Sequence, residues 1–351
     1  MELDQAKLGA FMGRVVGDLG AAASAAMVLV GDRLGLYKAM VGAGGMTPAD
    51  LAMKTKTSER YVREWLGNQA AGGYVEYDAK KGTYTLPPEQ AFALADETSP
   101  AFVPGGFQAM LGAGRSVERL VENFKTGGGM PWGDHHHDLF HGTERFFRPN
   151  YVGNLVASWI PALDGVKARL EKGIRVADVG CGHGASTILM AQAYPKSTFV
   201  GFDSHAPSVD SARTRAKAAG VGDRTKFEVA RANDYPGTYD FVTFFDCLHD
   251  LADPVGASKQ TKKNLDAKGS WMIVEPFAGD NVADNLNPVG RVYYAASTMV
   301  CVPCSLAGNG PALGAQAGEA RLRDVVVKQG GFKSMKRVTE TPFNLVLEAK
   351  P

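Results

Sequence analysis

Three glycines at alternate positions, Gly180, Gly182 and Gly184, follow Asp178, and Asp203 closes the next apolar run. These are the residues of the chain best equipped to hold a ligand. The run Ile174–Val179 is apolar and β-branched, as a buried strand would be, and Ala185–Tyr194 has the pattern of a helix packed behind it. Glycines between them let the backbone turn sharply and allow a ligand to touch main-chain atoms. Asp203, at the tip of a second strand over Thr198–Phe202, is placed to grip the hydroxyls of a ribose. The pattern predicts a nucleoside-containing cofactor at this strand edge.

Two cofactor classes compete for it. Gly180-x-Gly182-x-x-Ala185 fits the dinucleotide fingerprint. Three details favour S-adenosylmethionine. Asp178 stands where it can meet the amino acid end of that cofactor, the third glycine falls at Gly184, and the strand Phe241–Phe245 runs into Asp246-Cys247-Leu248-His249-Asp250. On these residues the chain resembles the class I S-adenosylmethionine-dependent methyltransferases, of the two-domain, O-methyltransferase-like type that acts on small molecules.

The resemblance implies a set of contacts. Asp178, Gly180, Cys181, Gly182 and Gly184 would surround the methionine portion, and Asp203 the ribose. Phe202 or Ser204 would line the adenine edge, while Ala232 and Asn233, in the turn Ala230–Asp234, would meet the adenine amino group. Asp246 would close the pocket near the methionine amine, and S-adenosylhomocysteine would be the product. Methyl transfer from a sulfonium requires mainly that the nucleophile be aligned, and deprotonated if it starts as a hydroxyl. The related enzymes supply a histidine from a Leu/Cys-His-Asp-Trp segment. Here the segment is Leu248-His249-Asp250-Leu251, with leucine in place of tryptophan. His249 is the expected base, oriented by Asp250 or Glu275.

The elements that must position these residues follow from the rest of the chain. Leu3–Val16 and Ala21–Met40 have helical patterns, the second apolar nearly all round, which predicts burial. Thr47-Pro48 opens a helix over Pro48–Thr55, and Ser58 opens another over Glu59–Ala71. Tyr74–Asp78 and Thr83–Leu86 alternate around Lys80-Lys81-Gly82 as a hairpin. Helices followed by a two-stranded wing predict a winged-helix domain over 1–95. Residues 1–90 hold ten Lys/Arg against ten Asp/Glu, which argues against nucleic acid as partner. In the family that the chain resembles, such domains join two copies, implying a homodimer through this region.

Residues 96–165 are expected as a helical connector and pocket lid, with a helix over Arg145–Ile160 broken near Pro149 and another over Leu163–Leu170. From 166 onward the pattern alternates strand and helix, with Trp271–Glu275 as fifth strand, Arg321–Gln329 as helix, and Lys333–Val338 and Phe343–Glu348 as the last strands. The predicted fold class is α/β: a seven-stranded, doubly wound, Rossmann-like methyltransferase sheet over 166–351, preceded by a mostly helical winged-helix domain. Residues 276–318 form an insertion expected to serve the ligand. Trp132, Phe146, Phe147, Arg291 and Tyr294 are the candidate substrate contacts, apolar walls with one cation suited to a flat small molecule.

Composition bounds the function further. The formal net charge of +1 gives no pull toward nucleic acid or an anionic membrane, and four cysteines in 351 residues are no disulfide framework, so a cytoplasmic setting is expected. The apolar run Leu19–Val30 is too short to span a bilayer and is expected to be a buried helix. His135, His136, His137 and His141 lack a carboxylate or cysteine at ligand spacing, so no metal is expected. Cys301-x-x-Cys304 lies outside the thioredoxin-like context that redox chemistry requires. The predicted activity is transfer of a methyl group to a small aromatic or polyketide-like acceptor, most simply a hydroxyl deprotonated by His249. The rivals are N- or C-methylation on the same scaffold, a regulator that binds S-adenosylmethionine without turnover, and an NAD-dependent oxidoreductase.

Overall fold

The computed structural model describes residues 3–351. The chain divides into two compact units, the first ending at Leu111 and including Asp138–Pro149, the second comprising Gly112–His137 and Asn150–Pro351. The stretch 96–165 is therefore no body of its own: its parts belong to both units.

The first unit begins with one continuous helix, Gln5–Arg33, whose first amides are capped by Asp4. Two separate helices were expected here, but Gly17 and Gly20, which face open space, are tolerated within a single one. By length and composition this helix is apolar enough to cross a membrane, which corrects the expectation drawn from the shorter run Leu19–Val30. The expected burial is met in part: residues 19–23 are exposed, as are Phe11, Met12 and Val16 before them, whereas Val28, Leu36, Tyr37 and Met40 are covered. Val28, Leu29 and Gly31, near its end, are covered.

Leu36–Met40, Pro48–Thr55 and Glu59–Ala71 follow. Thr47 and Asp50 form a capping box at the start of Pro48–Thr55, which satisfies amides that a helix start leaves unpaired. Strands β1 (Glu76–Asp78) and β2 (Thr83–Thr85) pair antiparallel as the wing, shorter than expected. Leu36, Tyr37, Leu51, Trp65 and Leu66 fill the core between helices. The Tyr37 hydroxyl donates to Gln69 Oε1 at 2.5 Å, so the buried phenol keeps a partner.

The second unit is built on seven strands: β3 (Arg175–Val179), β4 (Thr198–Asp203), β5 (Thr225–Val229), β6 (Tyr239–Phe245), β7 (Leu265–Pro276), β8 (Ser334–Glu340) and β9 (Asn344–Lys350). Their order is β5-β4-β3-β6-β7-β9-β8, parallel except for β9, which runs antiparallel to both neighbours. The chain proceeds outward from β3 through β4 and β5, then returns to the other side of β3 as β6. Order reverses between β3 and β6, and in such sheets the crevice at that switch, outside the carboxyl ends of the strands, is where ligands bind. Phe202, Phe244, Trp271, Ile273 and Leu347 belong to the core cluster of this unit.

Two expected elements differ in detail. The predicted break near Pro149 does not occur, since the helix His137–Asn154 contains that proline and loosens only afterward into a π-helical turn at Leu155–Trp159. The insertion after β7 is mostly helical: Pro288–Ala296 continues through a π-helical turn, Ser297–Cys301, into Val302–Ala307.

Candidate active site

The glycine loop after β3 is strapped to β4. The amides of Gly180 and Cys181 both donate to the Phe202 carbonyl, at 2.8 and 3.0 Å. Gly180 has φ of +76°, and a Cβ there would come within 2.7 Å of Cys247 Sγ, so the loop and the end of β6 meet only because this residue is glycine. Gly182 has φ of +51°, with no atom within 4 Å of where its Cβ would stand.

Asp203 closes this edge. Its Oδ2 accepts from the Gly182 amide at 2.9 Å and its Oδ1 from the His205 amide at 2.8 Å. Burial pushes its carboxyl up while the two amides pull it down. Each oxygen keeps a further lone pair for a ribose hydroxyl. The Ala230 amide donates to the Asp203 carbonyl at 3.1 Å, so the turn holding Ala232 and Asn233 lies beside it. Ser204 is exposed next to it.

Three expected cofactor contacts are placed otherwise. Asp178 is buried, its Oδ2 accepting from Ser186 Oγ and Thr187 Oγ1, both at 2.6 Å, and its Oδ1 from Thr243 Oγ1 at 3.0 Å. It anchors the helix Ala185–Ala193 to the sheet, and its oxygens are occupied by protein hydroxyls. Phe202 is buried in the core with its ring 5.2 Å from that of Tyr235, because successive strand residues face opposite sides and Asp203 takes the open one. Cys181 is likewise buried, and its amide is spent on Phe202.

On the other side of the switch, Asp246 adopts φ of +50°, a conformation that costs a non-glycine residue energy and persists where its surroundings impose it. Asn344 Nδ2 donates to its Oδ1 at 2.7 Å and the Tyr151 hydroxyl to its Oδ2 at 3.2 Å. Burial, with Glu275 adding to it, pushes the Asp246 carboxyl up to about 8. Tyr151 and Asn344 were not foreseen, being far from any motif in sequence.

His249 lies on the short turn Leu248–Asp250 beyond β6, buried. Its Nδ1 is 2.6 Å from Glu275 Oε2, and Glu275 Oε1 accepts from the Leu248 amide at 2.9 Å. Of the two expected orienters, only Glu275 touches the imidazole. Asp250 makes no hydrogen bond to it, although burial raises its carboxyl to about 7. The imidazole Nε2 faces Cys301 Sγ at 3.3 Å. Burial draws the His249 pKa down, but Glu275 and Cys301 together carry it well above the ordinary imidazole value.

The expected substrate contacts belong to both units. Trp132 is half-buried with its ring 6.2 Å from His135, Tyr294 is half-buried and Arg291 exposed. Phe146 and Phe147 belong to the first unit, where their rings meet edge to face at 5.2 Å.

Residues 170–307 match the model of a methyltransferase domain, and residues 22–96 that of the Rv2258c-like winged HTH domain. The chain joins a winged-helix domain to a methyltransferase domain. S-adenosylmethionine is the cofactor of such a domain, and the open glycine backbone and the spare lone pairs of Asp203 fit it. Over 131 residues the chain is 31% identical to the 27-O-demethylrifamycin SV methyltransferase of Amycolatopsis mediterranei, covering 35% of this chain and 48% of that protein. The chain spans about half or less of the length of the curated relatives that it matches. Among solved structures, an O-methyltransferase-like protein from Nostoc punctiforme superposes with a TM-score of 0.74 at 20% identity, covering 96% of this chain and 98% of that one. The mitomycin 7-O-methyltransferase gives 0.70 at 17% identity, covering 99% and 100%. At these identities the structures establish the fold alone.

Proposed function

We propose that the protein transfers a methyl group from S-adenosylmethionine to a hydroxyl of a small aromatic or polyketide-like molecule, with His249 as the base. The observation that carries this reading is the buried His249–Glu275 pair, at 2.6 Å, beside the strand edge that takes the cofactor. The cofactor, when bound, supplies the electrophilic methyl group. The backbone at Gly180 and Gly182, the side chains of Asp203, Ser204 and Asn233, and the main chain at Ala232 would hold it, with Asp246 at its amino acid end. His249 takes the acceptor proton at Nε2, and the Glu275 carboxylate stabilises the imidazolium that results. Burial keeps water from competing for that nitrogen. The O-methyltransferase names of the rifamycin relative and the mitomycin structure support oxygen as the acceptor atom.

The exposed apolar side chains of Gln5–Arg33, among them Phe11, Met12, Val16 and Leu19, support a homodimer formed through this helix. Titration calorimetry with S-adenosylhomocysteine, with NADH as control, tests the cofactor. A screen of phenols, amines and thiols with labelled S-adenosylmethionine tests the acceptor. Label on phenols alone is the expected result, and label confined to amines or thiols would remove the need for a base.

A further inference from the structure

Within the insertion, the helical stretch that stops at Ala307 carries two thiols on one face. Cys301 and Cys304 are three positions apart, a spacing that brings side chains together on a helix. Each meets an imidazole. Cys301 Sγ lies 3.3 Å from His249 Nε2, and Cys304 Sγ lies 3.8 Å from His135 Nε2. The segment bearing His135 is strapped over this helix by the Met130 amide, which donates to the Pro303 carbonyl at 2.9 Å.

The two pairs differ in what stands behind the imidazole. His249 is backed by the Glu275 carboxylate, and Glu275 is itself fixed by the Leu248 amide. His135 has no hydrogen-bond partner at Nδ1, and burial together with nearby Arg119 pulls its pKa down to about 4. An imidazole held neutral in this way cannot stabilise a thiolate. The other thiols, Cys181, Cys247 and Cys304, are all pushed up by burial and by neighbouring carboxylates. Cys301 alone has an imidazole with a carboxylate behind it, the arrangement of nucleophile, base and orienter that activates thiols.

We propose that Cys301, with His249 and Glu275, is a thiol nucleophile that takes soft carbon electrophiles of the α,β-unsaturated carbonyl class. The thiol proton passes to His249 Nε2 and the sulfur bonds to the β-carbon. The π pair of the C=C bond moves toward the carbonyl as an enolate, and the imidazolium returns its proton to the α-carbon. No oxidant or reductant is consumed, and the imidazole is regenerated. The inference rests on the proposed function for one point, the route by which small molecules reach His249. An opening that admits an acceptor to Nε2 also admits an electrophile to a sulfur 3.3 Å away. The adduct then fills the space in which an acceptor hydroxyl would meet the base.

The test is timed alkylation of the full chain with N-ethylmaleimide, read by peptide mass spectrometry, in the wild type, Glu275→Gln and His249→Asn. Circular dichroism and the thermal transition check that each variant is folded. Cys301 is expected to label at least about tenfold faster than Cys304, Cys181 and Cys247, and both substitutions to slow it by about tenfold, because the base that takes the thiol proton is weakened or removed. Labelling of Cys301 no faster than Cys304, or a rate that the folded variants leave unchanged, would overturn the proposal. Should neither variant fold, the wild-type ratio of Cys301 to Cys304 decides alone. No methyl acceptor enters the assay, so a chain that methylates nothing still answers it. A chain that methylates through His249 but labels slowly at Cys301 loses this inference and keeps the other.

Discussion

The two sides of the switch point bury acidic groups by different means. On the glycine side, Asp178 meets three hydroxyls and Asp203 two amides, from β6, from the start of the helix Ala185–Ala193 and from the turns directly after β3 and β4. These donors oppose the effect of burial, and the side is arranged to fix a backbone shape. On the other side, Tyr151, Asp246, His249, Glu275, Cys301 and Asn344 come from separate segments and converge. There the carboxylates reinforce one another: Glu275 adds to burial in raising both Asp246 and Asp250. One side spends its buried carboxylates on protein donors, and the other sets buried carboxylates beside an imidazole and a thiol.

The largest effect expected from this contrast is at His249. His249→Asn removes the base while keeping a polar side chain of similar reach, and turnover is expected to fall by about 10²–10⁴-fold. Affinity for S-adenosylhomocysteine should stay within about threefold, on the order of 0.6 kcal/mol. Turnover within about threefold of wild type would show that the acceptor needs no base. It would also merge the two sides into a single binding surface.

Glu275→Gln should act more mildly and through pH. The carboxylate raises the His249 pKa, so the wild-type rate is expected to rise with pH through a midpoint above the ordinary imidazole value. Without the carboxylate that midpoint falls, and the acid limb of the kcat profile moves to lower pH while its plateau drops by about tenfold. The sign for stability is the reverse of that for activity. A histidine raised by its partner stabilises the fold fully below its unfolded pKa, and that contribution is lost as pH rises through the folded value. A profile unmoved by the substitution would reduce Glu275 to a packing role.

The same division explains how far the sequence could be read. The glycine loop, Asp203 and the strands around them lie close together in sequence, so spacing predicted a ligand-binding strand edge there, and the resemblance to methyltransferases supplied the seven-stranded sheet that the structure has. Pro48–Thr55 was legible to the residue because its capping box is local, and Glu59–Ala71 has the expected bounds although the Ser58 side chain makes no capping hydrogen bond. Asn344 and Tyr151 were not legible, since they reach Asp246 across 98 and 95 positions and carry no motif. The choice of Glu275 over Asp250 likewise depends on the register of β6 against β7, which pairs Phe245 with Val274. The long first helix misled because apolar composition predicts burial without saying whether the cover comes from the same chain.

On the glycine side the expected effects are smaller and fall on affinity. Asp203→Ala removes the ribose acceptor and frees the Gly182 amide, and should weaken S-adenosylhomocysteine binding by about tenfold, or about 1.4 kcal/mol. Unchanged affinity by calorimetry would exclude Asp203 from the ligand.

Asp178→Asn is the finest test, because it separates holding the loop from touching the cofactor. Asparagine keeps one acceptor oxygen and turns a donor toward hydroxyls that can rotate to receive it, so part of the network survives. The loss should be about 1–3 kcal/mol of stability, read as a lower Tm at roughly 2–4 °C per kcal/mol for a unit of this size. Affinity of the folded variant should change by less than about threefold, because the carboxylate already spends its oxygens on Ser186, Thr187 and Thr243. A loss of affinity as large as that of Asp203→Ala, with Tm unchanged, would mean that this carboxylate leaves the hydroxyls for the ligand. The glycine side would then be a place of charge rearrangement like its neighbour.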